Sequence, residues 1–139
     1  MEEAEIAVQN ILKNLSKKEI RTSKQIKQTN YLIIEELFDD FMCYEKNIKN
    51  KEDAIKALDG YELIKKKDII KGDKILYFKT KHFFNIKPVI GSASSILPNG
   101  KLSLKVGSKY LHSDAQYYFK KLTDDDKLKI SLIETVFDN

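Results

Sequence analysis

The sequence predicts an α+β fold: N-terminal helices, a small antiparallel barrel-like sheet, and a short C-terminal helix. Three observations carry this. Before Gly60, apolar residues recur every three to four positions, the helical period. Between Tyr61 and His112 the apolar runs become short and β-prone, and turn residues separate them. After Thr123 the helical period returns. These changes divide the 139 residues into a helical region 1–60, a basic β-rich module 61–122 and a C-terminal helix 123–139. Together they are the size of one compact domain.

Ala4, Ala7, Val8, Ile11, Leu12 and Leu15 form one face of a first helix. Glu2, Glu3 and Glu5 sit in its first turn, where the helix dipole favours acids. Residues 16–28 are polar apart from Ile20 and Ile26, and read as a linker or a solvent-facing continuation of the helix. A second helix is expected from Thr29 or Asn30, either of which can cap it. Its stripe is Tyr31, Ile34, Leu37, Phe38, Phe41 and Met42, widened by Leu32 and Ile33, with Glu35, Glu36, Asp39 and Asp40 opposite. A third, short helix opens at Asn50, buries Ala54, Ile55 and Leu58, and ends at Gly60.

Tyr61–Ile64 and Ile69–Ile70 are β-prone, and Lys71-Gly72-Asp73 reads as a turn. Lys74–Lys81 has bulky side chains on both faces, which predicts a central strand. Leu97-Pro98-Asn99-Gly100-Lys101 is the clearest hairpin: proline presets φ and glycine supplies a positive one. Beyond it Leu102, Leu104 and Val106 alternate with Lys101, Ser103 and Lys105, a half-buried strand with lysines on its wet face, and Gly107-Ser108 ends it. Residues 113–122 are ambiguous. Ser113–Gln116 fits a capping box and Ala115, Tyr118, Phe119 and Leu122 a helix, yet Tyr117-Tyr118-Phe119 equally suits a strand. Thr123-Asp124-Asp125-Asp126 caps a terminal helix whose apolar residues are Leu128, Leu132, Ile133, Val136 and Phe137.

The net charge of +4 conceals an asymmetry. Residues 1–60 carry −2, residues 61–122 carry +9 and residues 123–139 carry −3. Of 25 basic residues only Arg21 is arginine. Charge segregated in this way predicts a polyanionic partner; a lysine-rich chain from an AT-rich genome is the competing account.

Several chemistries are excluded as expectations. No apolar run is long enough to span a membrane, and the acidic N-terminus is unlike a secretory signal, so an intracellular, non-secreted protein is expected. One cysteine allows no internal disulfide and no cysteine-based zinc cage. The phosphate-binding glycine motifs are missing, as is the aromatic pattern of RNA-recognition motifs. His112-Ser113-Asp114 holds the residue types of a hydrolase triad, but neighbours in a chain do not readily point at one another. His82 has no evident partner. Cys43 lies beside Asp39 and Asp40, which raise a thiol pKa. Asp124–Asp126 suit helix capping better than a cation, and Glu35, Glu36, Asp39 and Asp40 suit a solvated face. The expectation is a protein with no catalytic residues, no metal and no cofactor.

Nucleic acid or another polyanion is the expected partner. The basic segment holds nine of the fourteen aromatics, and basic β-modules bind single strands by joining lysines to stacking rings. The candidate contacts are Lys79, Lys81, Lys101, Lys105, Lys109 and Tyr110. Lysine holds phosphate but lacks the fork that reads guanine, so binding without sequence preference is expected. The competing expectation is an assembly protein acting through protein contacts, a partner or a second copy docking on the N-terminal helices.

Lys71–Phe78, a following hairpin and Leu102–Val106 together resemble small basic β-modules in proteins of large DNA viruses. The resemblance covers little more than a third of the chain. It implies a viral accessory or virion-associated protein, within a host cell or particle, and carries no functional residue across.

Overall fold

A computed structural model describes residues 21–41, 48–81 and 85–137. The expected helix over Ala4–Leu15 falls outside them, as do Cys43 and His82. The chain divides into two units, residues 27–121 forming one and the described residues 21–26 and 122–137 belonging to the other.

In the smaller unit, Thr22 and Gln25 form a reciprocal capping box. The Gln25 amide donates to Thr22 Oγ1 at 3.2 Å and the Thr22 amide to Gln25 Oε1 at 3.0 Å. Helix α1 (Ser23–Phe41) therefore begins before Thr29, inside the stretch read as linker or solvent-facing extension. A second box caps α3 (Asp124–Phe137), as expected: Asp126 accepts from the Thr123 amide and hydroxyl at 3.0 and 2.9 Å. Glu134 accepts from the Ser23 amide at 2.7 Å, Arg21 lies 3.5 Å from Asp126, and Ile26, Ile130 and Ile133 are buried.

In the larger unit, α1 and α2 (Ile48–Ala57) share a core with a six-stranded sheet. The strands are β1 (Tyr61–Ile64), β2 (Lys74–Lys81), β3 (Asn85–Ile96), β4 (Leu102–Val106), β5 (Lys109–Ser113) and β6 (Tyr118–Lys121). Every pairing is antiparallel and the order is β1-β6-β2-β3-β4-β5. The α+β class holds, with a sheet that stays open between edges β1 and β5. Residue 60 is no structural divide, because the helices must bury their stripes and do so on the sheet: Ile33, Ile34, Leu37, Phe38, Ala54 and Leu58 pack with Leu76, Phe78 and Phe119. Tyr31 and Leu32, expected in that stripe, are 48% and 66% exposed. The buried face includes Asn30 instead, whose Nδ2 donates to the Tyr61 carbonyl at 2.9 Å. Lys51 of α2 forms an ion pair with Glu35 of α1, which with a hydrogen bond from Tyr31 holds the Glu35 carboxyl below its usual range.

β2 is the central strand its sequence predicts. Leu76 and Phe78 face the helices, while Ile75 and Tyr77 face a second cluster with Ala93, Leu102, Leu104 and Tyr118. That second face is concave. In a flat sheet β5 and β6 would stand about 19 Å apart, four strand spacings. The Tyr118 hydroxyl nevertheless donates to the Ser113 carbonyl at 2.9 Å and accepts from the Ala115 amide at 2.9 Å. The sheet curls until the end of β5 reaches the Tyr118 ring of β6, while the edges β1 and β5 stay unpaired with each other. Tyr118→Phe is expected to leave both backbone groups short of a partner and to lower unfolding free energy by about 1–3 kcal/mol, measured by urea titration.

Two local features permit the curl. β3 carries an irregularity between Ala93 and Ser95. At Gly91 the β4 backbone comes unusually close: an added Cβ would lie 2.8 Å from Val106 Cγ2 and 2.9 Å from the Lys105 carbonyl oxygen. Residues 97–101 form the expected hairpin turn, with Gly100 at φ +84° and its amide bonded to the Leu97 carbonyl at 2.9 Å. Ile69–Ile70 is not a strand; a 3-10 turn (Lys66–Asp68) precedes it. Residues 113–122 contain β6 and no helix, because Tyr118 and Phe119 are each buried on opposite faces of the sheet.

Candidate nucleic-acid interface

Register decides which lysines share a surface. On β4, Leu102 and Leu104 face the concave side, so Lys105 stands on the outer side. There it is paired with Ser92 of β3 and with Tyr110 of β5. Ser92 is paired in turn with Lys74 of β2. Lys74, Ser92, Lys105 and Tyr110 thus form one row across four strands, and all four are exposed. The row spans three strand spacings, about 14 Å. Helices α1 and α2 cover this side over β1, β6 and β2, and α2 also reaches β3, but Ile90 of β3 stays 44% and Tyr110 of β5 58% exposed. His112, two residues beyond Tyr110, is exposed on the same side, opposite Ser103.

The six residues expected to act together are divided by this register. Lys105 and Tyr110 share the outer face, and Lys101 is exposed in the hairpin that leads to it. Lys79 has the parity of Ile75 and Tyr77 and is paired with Lys87, so it belongs to the concave side. Lys81 follows at the same parity on β2; its side chain lies outside the described residues. Lys109 is paired with Val106, on the side opposite Tyr110. Lys74 was missed because it opens a strand whose other charged residues all fall later. Only the pairing through Ser92, itself an unremarkable serine, brings it into line.

Charge balance separates these lysines from the rest. Lys66 lies 3.6 Å from Asp114 and donates to the Gly100 carbonyl at 2.7 Å, and Lys120 lies 4.0 Å from Asp73. Among the described residues no ion pair engages Lys74, Lys101 or Lys105. All three are exposed, so their charge faces solvent.

A cleft of about 420 Å³ opens between the end of β1 and the β5–β6 connection, lined by Leu63, Ile64, Lys66, Gln116, Tyr117 and Tyr118 among others. Its lining includes no carboxylate, histidine or cysteine. His112, Ser113 and Asp114 diverge: His112 is exposed on the outer face, Ser113 is buried with its Oγ 3.1 Å from the Tyr118 hydroxyl, and Asp114 faces Lys66. Among the described residues no group of His, Cys, Asp or Glu is placed to hold a metal ion, and no helix is long and apolar enough to cross a membrane. No family model matches the chain, and no curated protein or solved structure is detectably similar to it.

Proposed function

We propose that this protein is a non-enzymatic basic module that binds nucleic acid, or a polyanion of like charge density, on the outer face of its sheet and without reading sequence. One observation carries the reading: the exposed row Lys74–Ser92–Lys105–Tyr110, whose lysines have no ion-pair partner among the described residues. Lysines held two strand spacings apart, about 10 Å, on one face of a sheet attract the phosphates of a strand laid across it, and the serine between them is small. The resemblance of Lys71–Phe78 and Leu102–Val106 to viral basic β-modules supports a role in a host cell or a particle as part of this same proposal.

The test is binding of a labelled single strand from 50 to 200 mM salt. Three contacted phosphates predict about a 20-fold loss of affinity over that range. Lys105→Gln is expected to reduce the salt slope by about 0.7, and Lys79→Gln to leave it unchanged. Salt-independent binding, or none at low salt, sinks the reading; the reverse ranking of the two variants moves the site to the concave side.

An assembly role through protein contacts is the second reading. The outer edge of β5 favours it, being unpaired among the described residues and carrying exposed Tyr110 and Leu111. Sedimentation across a hundredfold range of concentration separates a self-associating protein from a monomer.

A further inference from the structure

Tyr110 and His112 occupy alternate positions of β5, so both rings rise from the outer face. Both are exposed, Tyr110 by 58%. Alternate residues of a strand stand about 6.8 Å apart. Stacked bases are separated by about 3.4 Å, so the space between the two rings is that of a single inserted base with a ring against each of its faces. Across the ladder, opposite His112 lies Ser103, which is small and buried, and opposite Tyr110 lies Lys105. At one side the row of Lys105 and Lys74 leads away across the sheet and offers positive charge to the phosphates that flank the base. At the other side β5 is the sheet edge, with no strand beyond it among the described residues, so a base can enter from solvent.

We propose that Tyr110 and His112 form a slot for one unpaired base, which makes the module selective for single-stranded over duplex nucleic acid. This deepens the function proposed above and rests on it. A base inside a duplex is already stacked on both sides and presents only its edge, so it cannot fill the slot. An unpaired base can, and every base has a π-face, so the preference is for strandedness and not for sequence. Ile90, 44% exposed on the same face, offers a further apolar surface to a neighbouring base.

The chain has seven tyrosines and no tryptophan, which makes tyrosine emission a direct probe. The experiment titrates the full chain with an unlabelled homopyrimidine strand, and with the duplex of equal length, at two salt concentrations. The expected result is quenching of tyrosine emission by the single strand, with at least fivefold tighter binding than to duplex. Tyr110→Phe is expected to keep the affinity and lose part of the quenching. Tyr110→Ala is expected to weaken single-strand binding by about fivefold or more, with the salt slope unchanged; His112→Ala weakens it by less and also spares the slope. Equal affinity for single strand and duplex, or full single-strand affinity in Tyr110→Ala, overturns the slot. If Lys105→Gln still flattens the salt slope in that case, the polyanion reading stands and only the slot is lost. Both rings are exposed, and a circular dichroism spectrum like that of the unaltered chain confirms that each variant is folded.

Discussion

Gly91→Ala is expected to lower the midpoint of thermal unfolding by about 4–12 °C, corresponding to about 1–3 kcal/mol. Two effects compete. Replacing glycine by alanine restricts the unfolded chain and by itself stabilises by about 0.4–1 kcal/mol. Against it stands a Cβ placed 2.8 Å from Val106 Cγ2, 2.9 Å from the Lys105 carbonyl oxygen and 3.3 Å from Leu104 Cβ. A methyl group of Val106 can rotate away. The Lys105 carbonyl cannot, because Lys105 is held in register by Ser92 on one side and Tyr110 on the other. β3 and β4 must therefore separate, which loosens Leu104, fully buried in the concave cluster. A thermal melt followed by circular dichroism decides the sign. An unchanged or raised midpoint means that the close approach is not maintained and that the curl of the sheet does not depend on Gly91.

Asn30→Asp is expected to be more damaging still, and in a way that depends on pH. Asn30 is 6% exposed in the middle of the packed face of α1, and its Nδ2 holds the Tyr61 carbonyl while Oδ1 has no hydrogen-bond partner among the described residues. An ionised carboxylate there faces a carbonyl oxygen with no cation assigned to it. The loss expected at pH 7 is about 3–5 kcal/mol, out of the 5–15 kcal/mol typical of a domain. Burial raises the introduced carboxyl's pKa in the folded state above its unfolded value near 4. The folded variant then binds more protons than the unfolded one, so its stability falls as pH rises above about 4. Below that value the neutral acid can donate to the Tyr61 carbonyl and the variant recovers. Asn30→Ala, which removes the donor without adding charge, is expected to lose about 1–3 kcal/mol at every pH. Urea titrations of both variants at pH 4 and pH 7 test this; a loss in Asn30→Asp that does not change with pH would rule out a buried carboxylate.

The elements legible in the sequence are those defined by local chemistry. β2 announced its central place through bulky residues on both faces, and the turn at Pro98-Asn99-Gly100 carries its own φ requirements. β3 was not legible. Pro88 and Gly91 read as breakers, and the irregularity at Ala93 and Ser95 disrupts its alternation. The structure tolerates both breakers for physical reasons: β4 pairs only with Ser92–Ile96, so Pro88 has a single neighbouring strand, and Gly91 admits the β4 backbone. Thr22 and Gln25 were legible in principle as a capping box, but the polar residues around them hid the start of α1. The composition of the candidate site could be read, since lysine and tyrosine content is local. Its division between two faces could not, because a strand's face follows from partners far away in the chain. Lys79 and Lys105 look alike in sequence, and only the pairings of β2 with β3 and of β4 with β5 set them on opposite sides.

The order β1-β6-β2 also imposes a sequence of events on folding. β1 and β2 are near neighbours in the chain but are not paired with each other; the strand between them is the last to be synthesised. Phe119, which has no exposed surface, joins the helical core from that strand. A nascent chain can close the β3–β4–β5 hairpins early, because their contacts are local, yet the hydrophobic core beneath α1 and α2 stays incomplete until residues 118–121 leave the ribosome. Folding of this unit is set by the arrival of its C-terminal strand, and a ribosome stalled before Tyr118 displays Leu76 and Phe78 without their partner.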